Sequence, residues 1–97
     1  IVISHNSGGN LRVWAGGTCG NVLTILSYLG WDSYPIARLN DDAAAQRIVE
    51  DLKSWNVKTD FVKQQPSADT PIIVQQITQT SRGDASHKFS WLCPRCG

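Results

Sequence analysis

The sequence lacks the features of several large classes of protein. No apolar run approaches the roughly 20 residues that cross a bilayer as a helix, so we expect a soluble protein. Excess charge of one sign is also missing, because nine basic and eight acidic residues leave a net charge of +1. Without a positive field, binding to nucleic acid or to an anionic membrane is disfavoured.

Cysteine is scarce as well. The chain has three cysteines, an odd number, and two of them lie close together as Cys93 and Cys96. This count argues against the disulfide framework of a small secreted protein and favours a reducing compartment. We therefore expect a cytoplasmic protein.

Methionine is absent altogether. The sequence begins directly on an apolar segment and ends on Cys-Pro-Arg-Cys-Gly, a motif that usually continues. With 41% hydrophobic and 18% charged residues the composition is that of a folded protein, and 97 residues suffice for one core at most. We expect a fragment of a single domain.

The first half of the sequence predicts a hairpin, two helices and a strand. Runs at 1–5 and 11–15 are β-prone and flank Gly and Asn residues suited to a tight turn. From Thr18 the apolar residues follow helical spacing up to Gly30, which predicts a buried amphipathic helix; they are Val22, Ile25, Leu26 and Leu29. A short strand is predicted over 33–39, although Pro35 removes a hydrogen bond from the sheet unless it lies at the start or edge of the strand.

The second predicted helix has recognisable ends. Asn40, Asp41 and Asp42 provide capping oxygens and negative charge at its start, and Asn56 is suited to end it. Its apolar face consists of Ala45, Ile48, Val49 and Leu52, with Trp55 extending it.

The last third of the sequence is predominantly β-prone. Strands are predicted over 61–65, 71–80 and 87–92, and a turn over 81–86 makes the last two a second hairpin. Alternating strands and helices indicate an α/β unit with a parallel sheet, to which the two hairpins are attached.

The stretch AGGTCGN, which includes Gly16, Gly17 and Asn21, raises the question of what lies at the start of the first helix. Glycines there let the backbone approach a ligand, and the helix dipole favours electron-rich groups such as those of a polyol. The amide of Asn21 offers both a donor and an acceptor, as a hydroxyl does. From this stretch alone, a simple turn from strand to helix explains the glycines equally well.

Several segments together resemble the ribokinase-like (PfkB) carbohydrate kinases. Matching residues occur in register over about residues 11 to 80. They are Gly16-Gly17 with Cys19, Asn21 and the terminal Gly30; Arg38-Leu39-Asn40-Asp41-Asp42; Trp55-Asn56-Val57-Lys58-Thr59; and Thr70-Pro71. The resemblance implies a ribokinase-like fold: a fragment of a parallel-sheet α/β domain carrying an antiparallel β-flap, or lid, made of two hairpins.

The resemblance also implies that different segments of the chain have different roles. The lid would comprise about residues 1–15 and 71–92, and the α/β part about residues 16–65. Gly16, Gly17 and Asn21 match positions that contact the sugar, and Thr18 is a weaker candidate. The lid implies a homodimer, with Trp14, Phe89 and Trp91 as candidates for a sugar-facing or subunit-facing surface.

The intact protein is thus expected to transfer the γ-phosphate of ATP to a sugar or nucleoside hydroxyl, with Mg²⁺. In the family the catalytic base and the anion hole come from a Gly-x-Gly-Asp-like motif nearer the C-terminus, and no such motif occurs here. We therefore expect this chain to supply part of the sugar pocket and the lid, with no catalytic residue and no ATP site of its own.

The ending Cys93-Pro-Arg-Cys96-Gly has the spacing of half a zinc site. The sequence leaves several candidates for the other two ligands, namely a second CxxC, His87, Cys19 or a pair of residues from another subunit. A reduced or redox-active cysteine pair is the competing interpretation.

An alternative function for the whole chain is a non-catalytic dimerisation or zinc-binding module, since flap strands have free edges that pair with other chains.

Overall fold

The computed structural model describes residues 2–6, 9 and 11–92. The elements follow in the order β1 (Val2–Asn6), β2 (Leu11–Trp14), α1 (Thr18–Tyr28), β3 (Ala37–Leu39), α2 (Ala43–Ser54), β4 (Val62–Gln64), β5 (Ile73–Gln79) and β6 (Ala85–Ser90). None of the helices among these residues has the length and apolar character needed to cross a membrane. The order of helices and strands confirms the predicted mixed α/β class.

The chain forms two compact units. The first unit is Trp14–Pro71, and the second joins Val2–Val13 to the described residues from Ile72 onward. In the first unit β3 and β4 are parallel, with Ala37 opposite Val62 and Leu39 opposite Gln64, and α2 forms the connection between them. Its buried apolar side chains are Leu39, Ala45, Leu52 and Val57.

Helix α2 has the ends that the sequence predicts. The Asp42 carboxylate accepts the Ala45 N–H at 2.7 Å, which satisfies one of the donors left free at a helix start. At the other end Asn56 adopts φ 60°, and the N–H of Val57 donates to the carbonyl of Leu52 at 3.1 Å. This arrangement is the Schellman motif, and it brings two buried residues, Leu52 and Val57, together at the end of the helix.

Helix α1 ends as predicted but is not buried as predicted. Gly30 adopts φ 93° and the N–H of Trp31 donates to the Leu26 carbonyl at 3.0 Å, a second Schellman ending. The apolar stripe, however, is exposed: Val22 is 49%, Ile25 57% and Leu29 64% accessible. The prediction of a buried helix is therefore wrong for the described residues, because none of them covers this stripe.

The strand predicted over 33–39 is shorter in the structure, where β3 covers only Ala37–Leu39. Pro35 explains the difference, since it has no N–H for a sheet and restricts the residue before it. The preceding segment is fixed in another way. Ser33 is buried, and its carbonyl accepts the Lys58 N–H at 2.9 Å.

The second unit is a four-stranded sheet in the order β2-β1-β5-β6. β1 and β5 are parallel, with Val2 opposite Ile73, whereas β5 and β6 are antiparallel, with Val74 opposite Ser90. The predicted second hairpin is confirmed, with Gly83 at φ 84° in its turn. β2 is bonded to β1 after a connection of residues 7–10, too short for a parallel crossover, so these strands form the predicted first hairpin.

Candidate functional site

The start of α1 is open and is shaped by a glycine. Gly17 is the N-cap residue, with φ 89° and ψ 158°, a combination that is essentially restricted to glycine. A Cβ added at Gly17 would meet nothing within 4 Å. Backbone conformation, and not lack of space, therefore requires glycine at this position.

The first turn of α1 presents free backbone donors. No side chain of the described residues caps the helix, and the first turn has no acidic residue. The first intrahelical bond runs from the Asn21 N–H to the Gly17 carbonyl at 3.0 Å, so the N–H groups of Thr18, Cys19 and Gly20 have no acceptor within the helix. These groups, together with the positive end of the helix dipole, suit a ligand rich in lone pairs.

A pocket of about 330 Å³ lies beside this turn. It is lined by Trp14, Ala15, Asn21, Thr24, Asp51 and Trp55. Of the predicted sugar-binding residues, Asn21 lines this pocket, whereas Gly16, Gly17 and Thr18 do not. Among the described residues the Asn21 side chain has no hydrogen bond, while the Thr24 hydroxyl donates to the Asn21 carbonyl at 2.9 Å.

No sequence motif marks Asp51, yet the structure places it beside the glycine pair. Its Oδ2 accepts the Ala15 N–H at 2.7 Å, and both residues are half-buried. In the sequence Asp51 lies next to the apolar face of α2, a position that says nothing about a partner 36 residues earlier. Trp55 also lines the pocket beside the start of α1, whereas the sequence places it only at the end of the second helix and in one of the segments that resemble the family.

A second pocket, of about 310 Å³, lies against α2, β3 and β4. Leu39, Val49 and Val62 contribute apolar surface, and Gln46, Glu50 and Lys63 are among its polar residues. None of the predicted sugar-binding residues lines it.

The predicted zinc ligands Cys93 and Cys96 lie outside the described residues. Within the described part, no group of three or more His, Cys, Asp or Glu side chains is arranged to hold a metal. Cys19 is exposed and free, and Nδ1 of His87 lies 2.7 Å from Nε2 of Gln75. Phe89 and Trp91, the predicted surface aromatics of the second hairpin, are 51% and 72% exposed.

The solved structures with a similar fold include several sugar kinases. A fructokinase from Vibrio cholerae O395 in apo form has a TM-score of 0.68 at 20% identity, over 96% of this chain and 32% of that one. A ribokinase from Arabidopsis thaliana in complex with ribose and ATP has a TM-score of 0.64 at 22% identity, over 92% and 32%. An uncharacterized sugar kinase from Pyrococcus horikoshii has a TM-score of 0.68 at 22% identity, over 92% and 31%.

The present chain therefore spans about a third of the length of these kinases. At these identities the likeness establishes the ribokinase-like fold. A search of curated proteins found no match. The sequence itself, however, matches the pfkB family of carbohydrate kinases over residues 3–87, most of its length, and the chain belongs to that family.

Proposed function

We propose that the protein containing this chain transfers the γ-phosphate of ATP to a hydroxyl group of a sugar or nucleoside. The observation that carries this proposal is the family match over residues 3–87. The open start of α1 supports it independently, because glycine at position 17 is required by φ 89° and leaves the first-turn donors accessible.

The proposed sugar site combines main-chain and side-chain groups. Gly16 and Gly17 bring the backbone close to the sugar, and N–H groups at the start of α1 donate to its hydroxyl oxygens. Asn21 lines the pocket, and its exposed side chain has no hydrogen bond among the described residues. It supplies an amide that both donates and accepts. Thr18 is exposed on the same turn and is a secondary contact.

The second unit is the proposed lid. Closing a lid over a bound sugar excludes water, which would otherwise compete with the sugar hydroxyl for the phosphoryl group. In the sheet order β2-β1-β5-β6 the outer strands are β2 and β6. Among the described strands these two lie at the edges of the sheet, and an edge strand can pair with a strand of another chain, which supports a homodimer formed through the lid.

In the intact protein ATP would supply the phosphoryl group, and Mg²⁺ would neutralise part of the phosphates' negative charge during transfer. No described residue is assigned to its binding, and the sequence has no Gly-x-Gly-Asp-like motif to supply the base. The contribution of this chain is to bind and orient the sugar and to exclude water. We accordingly expect the 97-residue chain by itself to have no kinase activity.

Substitution of Asn21 tests the proposed site. In the intact protein, Asn21→Ala should lower kcat/KM for the sugar by roughly tenfold to a hundredfold, since one hydrogen bond is lost in a desolvated pocket. KM for ATP should remain within about twofold, because ATP binds elsewhere. Gln46→Ala is the matched control, since it removes an exposed amide from α2 and should leave both constants unchanged. An unchanged sugar dependence in Asn21→Ala would refute the assignment.

We also propose that Cys93 and Cys96 provide two thiolates of a structural zinc site. The support is the Cys-Pro-x-Cys-Gly spacing, which directs two sulfurs toward one metal. Metal analysis of the purified intact protein provides the test. Bound zinc that is lost in Cys93→Ser supports the site, and a protein without zinc, or with equal zinc in both forms, contradicts it.

A further inference from the structure

One contact connects α2 to the residue that precedes the glycine pair. The Ala15 N–H donates to Oδ2 of Asp51 at 2.7 Å, and the two residues are 36 positions apart in sequence. A carboxylate that accepts a backbone N–H makes a stronger hydrogen bond than a neutral acceptor does. Both residues are half-buried, so water competes for this N–H less than it would at an exposed site.

The segment that this contact holds contains two consecutive glycines. Ala15 is followed by Gly16 and Gly17, and glycine loses more conformational freedom on folding than any other residue. α1 begins directly afterwards without a side-chain cap. The described structure therefore gives the turn no local side-chain restraint at the cap, and the contact with Asp51 provides one from a distant element.

Helix α2, which carries Asp51, has hydrogen bonds that fix both of its ends. It is capped by Asp42 at one end and closed by the Schellman motif at Asn56 at the other. Leu52, the residue after Asp51, is 6% exposed and belongs to the core of the first unit. The backbone of Asp51 is thus held by regular helical bonds and by a buried neighbour.

We propose that Asp51 is a positioning residue for the sugar site. Its carboxylate fixes the Ala15 amide, and this restricts the glycine turn to the arrangement in which the start of α1 faces the sugar. The proposal rests on the proposed role of Gly16, Gly17 and Asn21 in binding the sugar. Asp51 itself acts through the main chain of Ala15 and needs no contact with the sugar.

Two substitutions distinguish the effect of the carboxylate's hydrogen bond from the effect of the volume that the side chain occupies. Asp51→Leu keeps a similar size but has no acceptor, whereas Asp51→Asn keeps an oxygen that accepts the Ala15 N–H. In the intact protein, loss of the restraint lowers the fraction of molecules with the turn in the binding arrangement, so Asp51→Leu should raise KM for the sugar by about tenfold. Since bound sugar restores the arrangement, kcat should stay within about twofold. Asp51→Asn, whose neutral oxygen is a weaker acceptor of the Ala15 N–H, should recover part of this loss in affinity.

Glu50→Gln is the matched control. Glu50 is the neighbouring carboxylate on α2 and is exposed, and its substitution should leave KM for the sugar unchanged. A merely structural role of Asp51 would instead lower kcat and protein stability together, without a selective change in KM. Such a result would overturn the proposal.

Hydrogen exchange of the Ala15 amide, measured without sugar, tests the contact independently of any activity. Asp51→Leu should accelerate this exchange by about tenfold or more, because local opening no longer breaks a hydrogen bond to the side chain. Asp51→Asn keeps a neutral and therefore weaker acceptor, so its exchange should be slower than that of Asp51→Leu. Unchanged exchange in Asp51→Leu overturns the proposal even if the protein is a sugar kinase. Faster exchange in Asp51→Leu with an unchanged KM for the sugar also overturns it. If Asn21→Ala leaves kcat/KM for the sugar unchanged, that result counts against the proposed function instead.

Discussion

Gly17 shows how a single residue determines the candidate site. Its φ of 89° and ψ of 158° lie in a region that side chains with a Cβ avoid, yet the space around the missing Cβ is empty. Gly20, three residues later, has the same empty space but lies within α1 with no positive φ. The two glycines therefore separate the effect of backbone conformation from that of volume.

We expect opposite outcomes when each of these glycines is replaced by alanine. Gly17→Ala should destabilise the protein by about 1–3 kcal/mol, the cost of a strained backbone conformation. Gly20→Ala should stabilise it by up to about 1 kcal/mol, because alanine is the better helix former. Urea unfolding of the intact protein measures both, and a Gly17→Ala variant as stable as the wild type would show that the turn is not as described.

Individual residues also show where prediction from sequence fails. Gly17, Asn56 and Gly30 are identified correctly because a helix boundary is encoded within a few neighbouring residues. Asp51 is missed because its importance lies in a hydrogen bond to Ala15, 36 residues away, and no local pattern encodes such a contact.

The helices show the same contrast. The ends of α2 follow from local capping chemistry, and its bounds, Ala43–Ser54, agree with the prediction. The spacing of apolar residues in α1 correctly predicts a helix but not its environment, since burial depends on what covers the stripe. β3 begins only at Ala37, because Pro35 cannot donate a hydrogen bond to the sheet. The sequence identifies this proline, but it does not give the residue at which the strand begins.

The N-cap of α2 provides a test of this local chemistry. Asp42→Ala removes the acceptor of the Ala45 N–H and should destabilise the protein by about 0.5–2 kcal/mol, as for other lost N-caps. Asp42→Asn should lose little, because asparagine caps about equally well. Urea unfolding of both variants measures the difference, and equal losses in the two would mean that the negative charge, and not the hydrogen bond, stabilises the helix.

The strand order of the second unit indicates which surface is expected to form the homodimer. β6 is an outer strand of the sheet, and Phe89 on it is 51% exposed. If the homodimer forms through this lid, Phe89→Lys in the intact protein should shift it from dimer to monomer in sedimentation velocity, since a buried unpaired charge opposes association. Tyr28→Lys is the control, because Tyr28 is 80% exposed on α1 of the first unit, and that variant should remain dimeric.

Two outcomes would contradict this mode of assembly. A wild-type protein that sediments as a monomer would exclude the homodimer under those conditions. A dimer that survives Phe89→Lys but dissociates with Tyr28→Lys would place the interface on the first unit.

The proposed sugar site can be examined in a crystal structure of the intact protein with its sugar bound. We expect hydroxyl groups within about 3.2 Å of the N–H groups at the start of α1 and of the Asn21 amide, with Gly17 still at positive φ. A sugar bound at a distance from Gly16, Gly17 and Asn21, with the start of α1 occupied by side chains of the protein itself, would contradict the proposed site.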